Sequence, residues 1–317
     1  MNKIFESVNL IAEIQWVIAI ILIILAFSTI LFWTWGKLSP SKLVEEMQIR
    51  TRSWWIMCFI FLFASLINPI ITYIALAFLS FLTLREIYSL LKLREMDRSI
   101  LFFCYLCIPV QYFLAFKGYY NLFLIFIPVF MFIIIPFLLV LTGETKDIIR
   151  SMCILPTSLM LGVYGISHLA LLINFPEMNN DEISGKALLL FLIFITEAND
   201  IMQFVWGKIF GKNKILPNVS PNKTWEGFIG GILSTTLIGY LMGFLTPLST
   251  VQLITISFSI SILGFMGDSI LSAVKRDFGV KDMGSAIPGH GGVLDRVDSL
   301  STTASPFFHI VYFIIML

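Results

Sequence analysis

The chain has 317 residues, 58% of them hydrophobic and only 13% charged, with a mean hydropathy of +0.91 and a net charge of +1. A soluble domain of this size carries about a quarter charged residues, so a water-soluble globular protein is excluded. The four cysteines all lie in or beside apolar runs, which excludes a disulfide framework; Cys104-x-x-Cys107 sits within one such run and has no second pair to complete a metal site.

Apolar runs recur at approximately 16–35, 54–67, 69–84, 99–116, 120–141, 154–173, 187–204, 225–245, 250–267 and 300–317. Their length and composition predict an all-α polytopic integral membrane protein of nine to ten transmembrane helices. The segment before Trp16 carries Lys3, Glu6 and Glu13, a poor signal-peptide start, so the first run reads as an uncleaved span. The second and third runs are short and separated only by Asn68-Pro69, which leaves open two spans or a re-entrant hairpin. Loops 36–53, 85–98, 142–153, 205–224 and 268–299 hold 18 of the 21 Lys and Arg residues. The basic side is therefore expected in the cytoplasm of a bacterium, with both termini and the acidic loop 174–186 (Glu177, Asp181, Glu182) outside the plasma (inner) membrane.

Residues 1–150 show no chemical constellation and read as N-terminal transmembrane scaffold, with Pro109, Pro128 and Pro136 expected to kink their helices. Residues 151–317 form the second region, which carries the candidate site. The seventh run holds Glu197, Asn199 and Asp200 near its cytoplasmic end, where intramembrane carboxylates point to function. Gly207-Lys208 and Gly211-Lys212 follow. Ser220-Pro221 then reads as a capped helix start, leading through Lys223 to Glu226 near the positive end of the helix dipole. His168 and His309 read as packed helix residues and Asp277 as solvated.

The densest stretch is 268–299, with Asp268, Asp277, Asp282, Asp295 and Asp298 interleaved with Lys275, Arg276, Lys281 and Arg296. So much charge of both signs between apolar runs costs too much desolvation to be filler. The acids can hold a divalent cation and the cations can hold phosphates. The turn Pro288-Gly289-His290-Gly291-Gly292 can offer backbone N–H groups to an anion. If the ninth helix continues past Asp268, then Asp268, Ser272, Lys275 and Arg276 share one face. Asp295, Asp298 and Ser299 share another at the start of the tenth.

Ser272-x-x-Lys275-Arg276, Lys281-Asp282-x-Gly284 and Pro288-Gly289-His290-Gly291-Gly292-x-x-Asp295-Arg296-x-Asp298-Ser299 together resemble the signature of the phosphatidate cytidylyltransferase (CDP-diacylglycerol synthase) family. Asp200, Gly207-Lys208 and Ser220-Pro221-x-Lys223-Thr224-x-Glu226-Gly227 are similar to that family's second block, with Gln203 and Phe204 where it has an Ala-Tyr pair. The resemblance covers motifs between about 197 and 299, roughly the last third of the chain. It implies transfer of a cytidylyl group from CTP to phosphatidic acid in phospholipid biosynthesis, with release of pyrophosphate. Mg²⁺ is the implied cofactor, with a second cation conceivable.

On that reading Asp268 and Asp295 hold the metal, and Asp282 and Asp298 complete a second position or support the first. Lys275, Arg276, Lys281 and Arg296 hold phosphates, while Lys208, Lys212 and Lys223 line the entrance. Asp200, Ser220, Glu226, Ser272, Gly291 and Gly292 belong to the substrate site. His290 contacts phosphate, protonates the leaving group or stiffens the turn, the first being favoured. The partners are CTP, phosphatidic acid and membrane lipids, with a homodimer left open and no nucleic acid expected. The competing readings are another membrane enzyme of nucleotides and lipid phosphates, such as a polyprenol kinase, and an ion-coupled transporter using Glu197, Asp200 and Asp268.

Overall fold

The computed structural model describes residues 12–91, 93–175 and 185–316, and the residues expected to form most of the acidic outer loop and both chain ends lie outside that range. Among the described residues the chain is built from ten helical stretches: α1 (Ala12–Leu38), α2 (Lys42–Ile67), α3 (Pro69–Leu90), α4 (Arg98–Lys117), α5 (Tyr120–Leu141), α6 (Ile148–Ile173), α7 (Gly185–Phe210), α8 (Trp225–Leu241), α9 (Thr250–Asp277) and α10 (Leu294–Met316). The described part of each apolar run falls on one of them, except that the eighth run passes the end of α8 into a short 3₁₀ turn, Gly243–Leu245. Seven (α1, α3, α4, α5, α6, α7 and α9) are long and apolar enough to cross a membrane. The protein is an integral membrane protein. Its outward apolar side chains, such as Trp16, Phe27, Phe102, Ile133 and Phe137, are the surface that hydrocarbon covers.

The 54–84 region is two helices of 26 and 22 residues, of which only the second, α3, is among the seven long and apolar enough to span. Asn68 alone separates them, in extended conformation, and its side chain accepts a 2.8 Å hydrogen bond from the Ile70 N–H. Pro69 takes the first helical position, where its missing N–H costs nothing. The expected proline distortions take two forms. Pro128 lies in a π-turn, Phe126–Met131, that widens α5, whereas Pro109 and Pro136 are carried inside α-helical segments. His168 is fully buried among Phe123, Tyr164 and His309, and Cys104 and Cys107 are buried free thiols, as packed helix residues should be.

Packing runs in chain order through the second half, α7 on α8, α8 on α9 and α9 on α10. α10 also lies against α6, which lies against α3 and so joins the halves. A lipid phase offers no hydrophobic drive between helices, so close packing and internal hydrogen bonds hold this assembly. On the charged side, Arg94 grips the fully buried Asp97 through two hydrogen bonds of 2.8 and 2.7 Å. Arg94 also donates to the Glu144 and Lys146 carbonyls, and the Ser151 hydroxyl donates to Asp97 at 2.6 Å. Residues 93–97 and 142–147 are thereby fixed to the start of α6. Replacing Asp97 with Ala removes the acceptor for the buried Ser151 hydroxyl and for two of the four Arg94 hydrogen bonds, and should lower stability by about 1–2 kcal/mol. Thermal melting of the purified protein in detergent reads that loss, and an unchanged melting temperature would remove this clamp from the account of the fold.

Candidate active site

The loop joining α9 to α10 is organised by two carboxylates. Asp295, in the first turn of α10 and only 4% exposed, accepts from Lys275 Nζ at 2.9 Å with one oxygen. Its other oxygen accepts the N–H groups of Met283 at 2.7 Å and Gly292 at 2.9 Å. Glu86, near the end of α3, is 6% exposed and accepts the N–H groups of Val293 and Leu294, each at 2.8 Å. Glycine is required where this carboxylate meets the loop. A Cβ at Gly292 would come 2.5 Å from Glu86 Oε2, and one at Gly284 would come 2.8 Å from Oε1. The helix end, a natural seat for a phosphate, is therefore filled by the protein's own acids.

That arrangement changes the expectation for the Pro288–Gly292 turn. The Gly292 N–H is held by Asp295, and the His290 N–H donates to the Ile287 carbonyl at 3.0 Å, so neither is free for an anion. Gly289 and Gly291 have φ of +74° and +86°, which lets the turn fold back on itself and close with Ile287 N–H donating to the Gly291 carbonyl. Local acids and carbonyls hold these two donors.

A second group of acids lies beside this loop. α9 continues as a helix to Asp277, and on it Asp268 pairs with Lys223 at 3.0 Å and accepts from the Ser272 hydroxyl at 3.1 Å. Asp298, three residues beyond Asp295, is 9% exposed and accepts from the Ser299 N–H at 2.8 Å. The Ser299 hydroxyl donates to Asp200 on α7 at 3.1 Å. Glu197, Asp200, Asp268 and Asp298 lie within electrostatic range of one another. Asp268 and Asp295 have no common partner, and Asp295 has both oxygens engaged by this chain. No three acid, histidine or cysteine side chains converge on one point among the described residues.

The flanking motif folds differently from the expectation. Ser220–Thr224 is a strand, paired antiparallel with Lys214–Leu216, and α8 starts at Trp225 with Thr224 as its cap, accepting from the Gly227 N–H. Pro221 suits the exposed edge of a two-stranded ribbon as well as a helix start, and the Lys214–Leu216 partner decides in favour of the ribbon. Glu226 accepts the N–H groups of Lys212 and Asn213 and the Asn213 side-chain amide, pinning the ribbon to the first turn of α8. The seventh helix runs on to Phe210, so Lys208 is helical, and it and Lys212 are exposed. Lys223 also donates to Ser269 at 2.8 Å and lies 4.4 Å from the Phe265 ring centre. Arg276 turns toward the ribbon and its own helix end, donating to the Val219 and Val280 carbonyls. Gln203 donates to Asn199, and Phe204 is 63% exposed.

Between the Pro288–Gly292 turn and α2 lies a cavity of about 560 Å³. Arg50, Lys281, His290 and Arg296 line it, with Glu46 and Asp282. Burial and then the Arg296 charge hold the His290 imidazole below its ordinary pKa, so it is neutral at pH 7. Arg296 borders both regions, since its field acts on His290 and also on Glu197 and Asp298. Glu86 and Arg50 come from the half that showed no motif. The legible signal for Glu86 was an acid in the last turns of a long apolar helix.

Fold and site together define a membrane-embedded enzyme with an acidic region and a basic cavity that adjoin at Arg296. The chain belongs to the cytidylyltransferase family, whose family model matches residues 48–315, and it is accordingly a nucleotidyltransferase. It is 39% identical over 276 residues to the uncharacterized protein YnbB of Escherichia coli (strain K12), covering 86% of this chain and 89% of that protein. It is 38% identical over 143 residues to the phosphatidate cytidylyltransferase of Haemophilus influenzae (strain ATCC 51907 / DSM 11121 / KW20 / Rd), covering 43% of this chain and 49% of that one. The corresponding figures for the phosphatidate cytidylyltransferase of Bacillus subtilis (strain 168) are 37% over 127 residues, 39% and 47%. The match thus spans about half the length of these two relatives.

Removing Glu86 tests how far the site depends on the capped helix end. Glu86→Ala leaves two buried N–H donors without acceptors and should cost on the order of 2 kcal/mol or more. Glu86→Gln, which keeps one acceptor, should fall between it and the wild type in melting temperature. A wild-type melting curve for Glu86→Ala would show that α10 needs no such cap.

Proposed function

We propose that this chain transfers the cytidylyl group of CTP to phosphatidic acid, giving CDP-diacylglycerol and pyrophosphate. The observation that carries the reading is the meeting of the acid cluster and the cationic cavity at Arg296. Reaction of two polyanions needs both kinds of surface at once. A phosphomonoester oxygen of the lipid attacks the α-phosphorus of CTP, and the bond to the bridging oxygen of the β-phosphate breaks as pyrophosphate leaves. The nucleophile is already ionised, so the protein's work is positioning and charge neutralisation. Lys281 and Arg296 meet phosphate oxygens in the cavity, while Lys223, held beside Asp268, guards the ribbon side.

The acid cluster fits Mg²⁺, because Glu197, Asp200, Asp268 and Asp298 gather there with a single ion pair, Lys223 to Asp268, among them. Two carboxylates, Asp268 and Asp298, are the ligands we assign, with Asp200 behind them through Ser299. Such a sparse protein set suits an ion that keeps waters and substrate phosphates as its other ligands. Bound there, Mg²⁺ neutralises charge on the triphosphate. Asp295 instead holds Lys275 and the loop. The asymmetry of Lys and Arg supports a cytoplasm-facing site in a bacterial inner membrane, where CTP is available.

Labelled CTP and purified protein, offered vesicles of different lipids, test the reaction. Pyrophosphate should appear with phosphatidic acid and not with phosphatidylglycerol, a diester lacking the attacking oxygen. Unlabelled ATP at equal concentration should compete poorly. Comparable yield from the diester, or equal inhibition by ATP, would overturn the assignment. Asp268→Asn and Asp298→Asn should each reduce turnover by about 10²-fold or more, with the double variant little worse than either alone. Near-normal turnover in Asp268→Asn would remove the metal assignment.

A further inference from the structure

The cationic cavity is not built from the α9–α10 loop alone, because α2 is docked against its turn by three independent contacts. Ser53 Oγ donates to the Pro288 carbonyl at 2.7 Å. The Trp54 ring meets the His290 ring edge-on, with centroids 6.0 Å apart and planes at 88°. Gly289 lies so close to α2 that a Cβ there would be 3.1 Å from Ile49 Cγ2 and 3.2 Å from Arg50 Cγ. These contacts bring Arg50, from the apparently featureless half of the chain, to the cavity wall beside Lys281, His290 and Arg296. Its charge is felt at His290.

The Arg50 guanidinium is engaged only weakly. Its ion pair is with Glu46, one turn back on the same helix, and the two side chains are 44% and 50% exposed. Such pairs contribute little and exchange readily. Across the cavity the Arg296 Nε is buried without a protein acceptor. The Gly292, Val293 and Leu294 N–H groups nearby are already taken by carboxylates. A phosphate entering here has forked guanidinium donors to meet it and few backbone donors.

We infer that Arg50 is a substrate-binding residue that holds a phosphate group in this cavity, so that the site is completed by a helix lying outside the signature motifs. This rests on the nucleotidyl-transfer reading for the identity of the phosphate, which is either the CTP triphosphate or the lipid phosphomonoester. The docking of α2 through Ser53 and Trp54 then serves to place a cation as well as to brace the turn.

Full-length protein in detergent, wild type and with Arg50→Gln or Arg50→Lys, is measured in two arms. Calorimetry reads the binding of pyrophosphate alone, and initial rates read KM for CTP and for phosphatidic acid in mixed micelles. Arg50→Gln should weaken pyrophosphate binding and raise KM for one substrate, each by about tenfold, with kcat within about threefold of wild type. Arg50→Lys should recover part of both losses, because it restores the charge without the fork. The substrate whose KM moves is the one whose phosphate Arg50 holds. If Arg50→Gln binds pyrophosphate as the wild type does with both KM values unmoved, the inference is overturned. A fall in melting temperature and kcat alone also overturns it, leaving Arg50 a brace. If the wild type binds pyrophosphate but turns over no CTP, the proposed reaction fails while the pyrophosphate arm still decides Arg50. A wild type that binds no pyrophosphate overturns the inference outright.

Discussion

Two buried carboxylates, Glu86 and Asp295, take up the N–H groups at the start of α10 and of the loop before it, and the geometry of the site depends on that occupancy. A helix start exposes donors that must find acceptors, and at the edge of a membrane water is not a dependable supply. Supplying the acceptors from α3 and from the helix's own first turn locks the register of Asp295, Arg296 and Asp298. One turn of helix then serves three purposes. Asp295 faces back into the loop, Arg296 borders the cavity and Asp298 joins the acids from α7 and α9.

The same occupancy explains why the two charged regions remain distinct. Had the loop's N–H groups been open, an anion would have settled at the helix end, beside the acid cluster and against its field. With those donors filled, positive charge is concentrated on side chains around the cavity, and negative charge on the other side of Arg296. Lys223 holds Asp268 in the acidic region and Glu46 holds Arg50 at the cavity, so neither region carries its full charge unscreened. Burying such groups is tolerable because most of them are hydrogen-bonded.

Much of the fold was legible because membrane helices advertise themselves. The apolar runs of the sequence mark the helices, and the shared face of Asp268, Ser272 and Lys275 was legible on the condition, which α9 meets, that the helix runs on past Asp268. Local chemistry was less secure. Ser220-Pro221 fits a helix cap and a ribbon edge equally well, and only pairing with Lys214–Leu216, invisible to periodicity, separates the two. Arg276 shares a helix face with Asp268 in principle, yet the Val219 and Val280 carbonyls capture its guanidinium. Where Glu86 and Arg50 dock was unreadable for a different reason. They stand some 200 residues before their partners, and a charge at the end of an apolar helix has the same appearance whether it meets headgroups or a loop.

Asp295 shows why a motif does not assign the work of each of its letters. Two acids three residues apart in Asp295-Arg296-x-Asp298 are chemically equivalent on paper, and either could meet a cation. Their surroundings separate them. Asp295 accepts one ammonium and two backbone N–H groups, so taking it as a ligand would strip a buried loop of its acceptors. Asp298 has a single N–H on one oxygen, with Asp268 and Asp200 as well as Lys275 and Arg296 in its field but no ion pair of its own. Like charges held together at low exposure are costly by themselves and are relieved by a cation of higher charge. On the proposed reading Asp298 is therefore the one of the two to meet a cation, and Asp295 the one to hold the loop.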